Sequence, residues 1–94
     1  VKYFDWNDIK NTYLKTERGI GFDDVQAAVE GGKILADIEH PLKSQYPNQR
    51  VFIIEFNDYV YIVPYVEDAT KIFLKTIYPS RKMTKKYLRG GKNI

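Results

Sequence analysis

The run RVFIIEFNDYVYIVPYV, Arg50 to Val66, constrains the fold more tightly than any other part of the chain. Apolar, β-branched and aromatic residues alternate along both arms, and Asn57-Asp58 between them is a two-residue link suited to a tight hairpin. The run predicts two antiparallel strands. Pro64 lies inside the second arm and has no N–H to give a ladder, so it predicts either an edge position or a bulge there.

Period-two patterning extends to both sides. KILADIEH reads as an earlier strand, PLKSQYPNQ as a polar loop with two prolines, and ATKIFLKTIY as a further strand after a turn at Glu67-Asp68. The expected sheet is antiparallel, with three to four strands. Unbroken alternation along the last strand sets Ile72, Leu74, Thr76 and Tyr78 on one side and Lys71, Phe73, Lys75 and Ile77 on the other. In the strand before it, Tyr59, Tyr61, Val63 and Tyr65 alternate against Val60, Ile62, Pro64 and Val66.

Helical signals flank the strands. DWNDIKNTYLKTERG offers Asp5 or Asn7 as N-cap, apolar positions at Trp6, Ile9, Tyr13 and Leu14, and Gly19 as a stop. FDDVQAAVEGG repeats the pattern with Asp23 as cap and Val25, Ala28 and Val29 on one face. After Pro79, Ser80 can cap a closing helix over RKMTKKYL, with Gly90-Gly91 behind it. Two N-terminal helices, a sheet and a C-terminal helix in 94 residues make one α+β domain, residues 1–94, with helices covering one sheet face. If the tyrosine side and the lysine side of the last two strands coincide, the other face interleaves aromatic and basic groups, a surface suited to stacking bases and neutralising phosphates. Otherwise the aromatics are strand formers and the lysines a solvated face.

Charge is distributed unevenly. Residues 1–68 hold seven Lys or Arg and all twelve acids, while 69–94 hold eight Lys or Arg and no acid. Such a field attracts a polyanion or an acidic partner; the plainer reading is a solvated basic tail. With no cysteine and one histidine, disulfides, thiolate chemistry and multi-histidine metal sites are excluded, and no cofactor is expected. No apolar run of about 18 residues and no signal-peptide pattern is present, so a cytoplasmic location without membrane contact is the expectation.

The ordered blocks resemble those of BrnT-type toxins from bacterial toxin–antitoxin pairs. FDWNDIKNTYLKTERGIGFDDV is similar to their opening, an aromatic-x-Trp-Asp followed by Lys-Asn, Lys-His-Gly-Val-x-Phe and an acidic helix. KIFLKTIYPSRKMTKKYL is similar to their closing Ile-Ile-Ser-x-Arg block and helix. The likeness runs from about Tyr3 to Leu88, with Arg18 in place of the usual His and Asn7 in place of the usual Asp. It implies a RelE-like fold, a metal-independent endoribonuclease that cuts messenger RNA and stops translation, and an antitoxin whose DNA-binding part is of ribbon-helix-helix type.

Metal-free RNA cleavage needs a base for the 2′-hydroxyl, cations for the phosphorane and an acid for the leaving 5′-oxygen. Arg81 and Lys82 open a helix where positive side chains oppose the dipole, a placement that makes sense with an anion bound, or else with both side chains in solvent. Arg81 is the leading catalytic candidate. Lys15 and Glu17 occupy the segment matching the family's Lys-His-Gly block, and are either proton-transfer groups near the sheet or ordinary charges on a last helical turn. The Tyr78 hydroxyl is a donor or a core group. Arg18, Arg50, Lys71, Lys75, Lys82, Lys85, Lys86 and Arg89 are the candidate RNA contacts, Arg50 being alternatively an edge-blunting charge. His40 precedes Pro41 at a strand end and reads as a loop residue. Two other functions fit the same residues: a non-catalytic nucleic-acid-binding or protein-interaction module, and a toxin that blocks a protein such as DNA gyrase.

Overall fold

A computed structural model of the chain describes residues 2–88. Its elements are β1 (Tyr3–Asp5), α1 (Asp8–Arg18), α2 (Phe22–Glu30), β2 (Ile34–Glu39), β3 (Arg50–Phe56), β4 (Tyr59–Glu67), β5 (Lys71–Leu74), β6 (Tyr78–Pro79) and α3 (Arg81–Tyr87). The class is α+β, as expected, but the sheet is larger and mixed. Its order is β1-β5-β4-β3-β2, with β6 also on β4, and β1 runs parallel to β5. The predicted Gly90-Gly91 stop lies outside the described residues.

Local chemistry accounts for the elements. Asn57 and Asp58 both take positive φ, 53° and 63°, and so turn β3 into β4 with the twist a two-residue hairpin requires. Asn7 caps α1 by accepting the Lys10 N–H at 2.9 Å, and Gly19 closes the helix at φ 72°. The cap of α2 differs from the expectation. Gly21 takes the capping position, and Asp24 rather than Asp23 reaches back to its N–H at 2.8 Å. A Cβ at Gly21 would lie 2.7 Å from Asn11 Oδ1, so a larger residue there would displace the side chain that accepts the Phe22 N–H and joins the two helices.

Helices lie on both faces, not on one. Leu14, Ile20, Phe22 and Val25 from the α1–α2 unit pack on Phe52, Ile54, Val63, Tyr65, Leu74 and Ile77. On the opposite face Val51, Ile53, Val60 and Ile62 are covered by Met83 and Tyr87 of α3 together with Leu88. The side chains of Ile9 and Tyr13, expected on the apolar stripe of α1, are 84% and 58% exposed, because only the Leu14 side of that helix meets the sheet.

Pro64 resolves as a bulge in the middle of the sheet. Its carbonyl accepts the Lys75 N–H at 2.8 Å, so the N–H it lacks would have pointed to the same neighbour. Tyr65 pairs with Leu74, but the next pairing is Ile62 with Tyr78, so 75–77 cover the distance spanned by Val63 and Pro64. The extra residue reverses the expected alternation. Ile77 joins Leu74 in the α1–α2 core, and Tyr78 turns to the α3 face.

The ladder then ends on α3. Ser80 N donates to Val60 O at 2.9 Å, while buried Thr84 Oγ1 accepts the Val60 N–H at 2.9 Å and donates to Ser80 O at 2.7 Å. Thr84→Val keeps the shape and leaves the Val60 N–H without a partner, and is expected to cost about 1–3 kcal/mol in urea unfolding. Thr84→Ser, which keeps the hydroxyl, should recover most of that loss; equal destabilisation by both would contradict the assignment.

Candidate functional site

The tyrosine and lysine sides of the sheet do not coincide. Tyr65 shares a side with Leu74, and Val66 shares the opposite one with Phe73. Tyr61 and Tyr65 therefore belong to the helix-covered core, with Tyr65 only 2% exposed. On the other side Phe73 is flanked by two ammonium groups, Lys71 Nζ at 5.8 Å and Lys75 Nζ at 5.6 Å from its ring centre.

Lys75 also lines a cleft of about 410 Å³. The bulge contributes Lys75 and Thr76, β4 contributes Pro64, β6 contributes Tyr78, and Lys10 arrives from the first turns of α1. The loop between β2 and β3 supplies the rest: His40, Leu42, Tyr46 and Gln49. That loop folds on itself through Tyr46 N to Leu42 O at 2.9 Å and His40 N to Gln49 O at 3.2 Å. His40 is buried, with its ring centre 4.6 Å from that of Tyr46 and its Nδ1 accepting the Leu42 N–H at 3.0 Å. Among the described residues the lining contains no carboxylate, so Lys10 and Lys75 set a positive potential. Burial pushes the Tyr78 phenol above its ordinary pKa, which keeps it a hydroxyl donor.

The basic candidates divide by their partners. Lys15 Nζ sits 2.8 Å from Asp23, and this hydrogen bond raises its pKa; Glu17 is exposed on the last turn of α1. Arg18 donates its guanidinium to the Ile77 carbonyl and so ties α1 to the bulge. Lys71 lies 3.6 Å from Asp5. Arg50 reaches Asp37 at 3.1 Å, and the Tyr65 hydroxyl donates to the same carboxylate oxygen at 2.6 Å. By contrast Lys75, Arg81, Lys82, Lys85 and Lys86 are exposed and have no ion-pair partner among the described residues. Ser80 caps α3 through the Met83 N–H at 3.1 Å, leaving Arg81 and Lys82 on its outer turn. Arg89 lies outside the described residues.

Of the catalytic candidates, Tyr78 alone lines the cleft, as does Lys75 of the proposed RNA contacts. Lys10, His40 and Tyr46 line it too without having been selected from the sequence. The available signal was the length of the 40–49 loop, longer than an ordinary hairpin connection. No group of three or more His, Asp or Glu side chains is placed to hold a metal ion among the described residues, and none of the helices there is long and apolar enough to cross a membrane. Comparison with protein families, curated proteins and solved structures returns no match.

The Asp37–Arg50–Tyr65 cluster gives a pH prediction. Burial, with the adjacent Asp37 carboxylate next, raises the Tyr65 pKa above its unfolded value of about 10. Its contribution to stability is therefore present below about pH 10 and lost as pH rises through the folded pKa. Tyr65→Phe should be less stable than wild type by about 1 kcal/mol at pH 8 in urea unfolding, with the gap closing at pH 11. A gap independent of pH would contradict the arrangement.

Proposed function

We propose that the chain is the toxin of a toxin–antitoxin pair, a RelE-like endoribonuclease that cuts messenger RNA without a metal and inhibits translation. The observation that carries this reading is the acid-free cleft, whose lining residues Lys75 and Tyr78 are followed in sequence by the exposed Arg81, Lys82, Lys85 and Lys86. The likeness to BrnT-type toxins supports it from the other side, since its closing block, KIFLKTIYPSRKMTKKYL, contains Lys75, Tyr78 and Arg81. A single strand would run from Phe73, between its two lysines, into the cleft and toward the start of α3. Bases would stack on Phe73 and Tyr46 while Lys75, Lys82, Lys85 and Lys86 meet phosphates.

In this reading Arg81 and Lys75 stabilise the phosphorane as the 2′-oxygen attacks and the 5′-oxygen leaves. The Tyr78 hydroxyl is the donor facing the leaving oxygen. Lys15, held protonated by Asp23, is a poor base and better suited to fixing the α1–α2 corner. The antitoxin would carry a ribbon-helix-helix DNA-binding part and an acidic or amphipathic segment that covers the cationic side.

A second reading has its own support. Neither Lys15 nor Glu17 reaches the cleft, which favours a non-catalytic nucleic-acid-binding or protein-interaction module on the same fold. Incubation with end-labelled RNA in EDTA separates the two. The ribonuclease leaves 2′,3′-cyclic phosphate ends, and Arg81→Ala slows it by about 10² or more. RNA that binds yet stays intact in wild type would establish the module instead.

A further inference from the structure

We infer that the cleft holds one nucleotide unit of a single-stranded RNA and that His40 recognises it by donating its Nε2–H. The RNA reading above supplies only the identity of the strand; the pocket and the donor stand on observations of their own.

His40 is 9% exposed, and its Nδ1 accepts the Leu42 N–H at 3.0 Å. An imidazole that accepts at Nδ1 carries its proton on Nε2 when neutral. With Nδ1 engaged by the Leu42 N–H, Nε2 is the ring nitrogen left to donate. Nε2 itself has no hydrogen-bond partner among the described residues. No fully enclosed side-chain N or O atom there lacks a partner either, so Nε2 reaches solvent, and His40 is part of the cleft lining. A nearly buried residue with an unpartnered ring nitrogen thus lines a positive cavity whose lining holds no carboxylate to accept from it.

The remaining walls suit a nucleotide. The volume of about 410 Å³ falls within the range of roughly 300–1,000 Å³ typical of small-molecule sites. Lys10 and Lys75 are placed for a phosphate, and Tyr46, tilted 38° to the imidazole and 40% exposed, offers a ring for a base. Two segments far apart in sequence, the 40–49 loop and the Pro64 bulge, close the site together.

Substitutions at His40 separate the donor from the fold. Asparagine at this position can still accept the Leu42 N–H, as in an Asx turn, but reaches no donor to the Nε2 position; glutamine places an amide N–H there. The test is titration of the full ¹⁵N-labelled chain in EDTA with uridine 5′-monophosphate, uridine and inorganic phosphate, following the imidazole nitrogens and thermal unfolding. The nucleotide should shift His40 Nε2 and bind about tenfold more tightly than phosphate alone. His40→Asn should lose about tenfold in nucleotide affinity at an unchanged unfolding midpoint, and His40→Gln should stay within about threefold of wild type. An Nε2 signal that the nucleotide leaves unmoved overturns the inference. So does a phosphate response as strong as the nucleotide's, which would make this an anion site only. Intact RNA alongside a moving His40 would remove the ribonuclease reading and leave this inference standing; cleaved RNA with His40 unmoved does the reverse.

Discussion

Pro64 stands within the central strand β4, opposite Val51 on β3, with its carbonyl accepting the Lys75 N–H on the β5 side. Because residues of an antiparallel strand point N–H and C=O to the same neighbour, the proline withholds the bond that Lys75 O would have accepted. The opposing strand responds by taking an extra residue. One consequence is buried: Ile77 turns into the α1–α2 core, and its carbonyl is met by the Arg18 guanidinium. The other is exposed: Lys75, Thr76 and Tyr78 become a wall of the cleft. A backbone donor absent from the centre of the sheet thus decides which side chains face solvent at its most cationic place.

The two sheet faces have different electrostatic character. On the α1–α2 side two of the positive groups are met within the fold, Lys15 by Asp23 and Arg50 by Asp37, whose second donor is the Tyr65 hydroxyl. Phe52 and Tyr65 stack at 4.0 Å beside this cluster and continue into the core. On the α3 side the buried apolar residues, Val51, Ile53, Val60 and Ile62, belong to β3 and β4, while β5 presents Lys71 and Phe73, with Lys75 just after it. Leaving several cations unpaired gives up little stability, since exposed ion pairs contribute about 0–1 kcal/mol each. It retains the field that would draw a polyanion to the cleft.

Much of the architecture was legible where the signals were local. The Asn57-Asp58 hairpin, the Asn7 and Ser80 caps and the Gly19 stop depend on neighbours a few residues away, and each forms as read. Strand β1 was missed because three residues show no period, and their partner, β5, lies more than 60 positions along the chain. Pro64 correctly signalled an edge or a bulge, but the face assignment assumed unbroken alternation, and one inserted residue moved Ile77 and Tyr78 to opposite sides. The candidate site was partly legible. Lys75 and Tyr78 stood out in the basic run, whereas Lys10 and His40 enter through tertiary proximity that neither spacing nor charge records.

The bulge links fold to site, and the contacts of Ile77 and Tyr78 test it most directly. The measurement is a nuclear Overhauser spectrum of the wild-type chain with methyl and tyrosine-ring labels. The account predicts Ile77 methyl contacts to the core that contains Leu14 and Leu74, and Tyr78 ring contacts to Ile62 and Met83. Tyr78 beside Leu74, with Ile77 on the side of Phe73 and Lys75, would mean that the strand passes Pro64 in regular register, and the cleft described above would not exist.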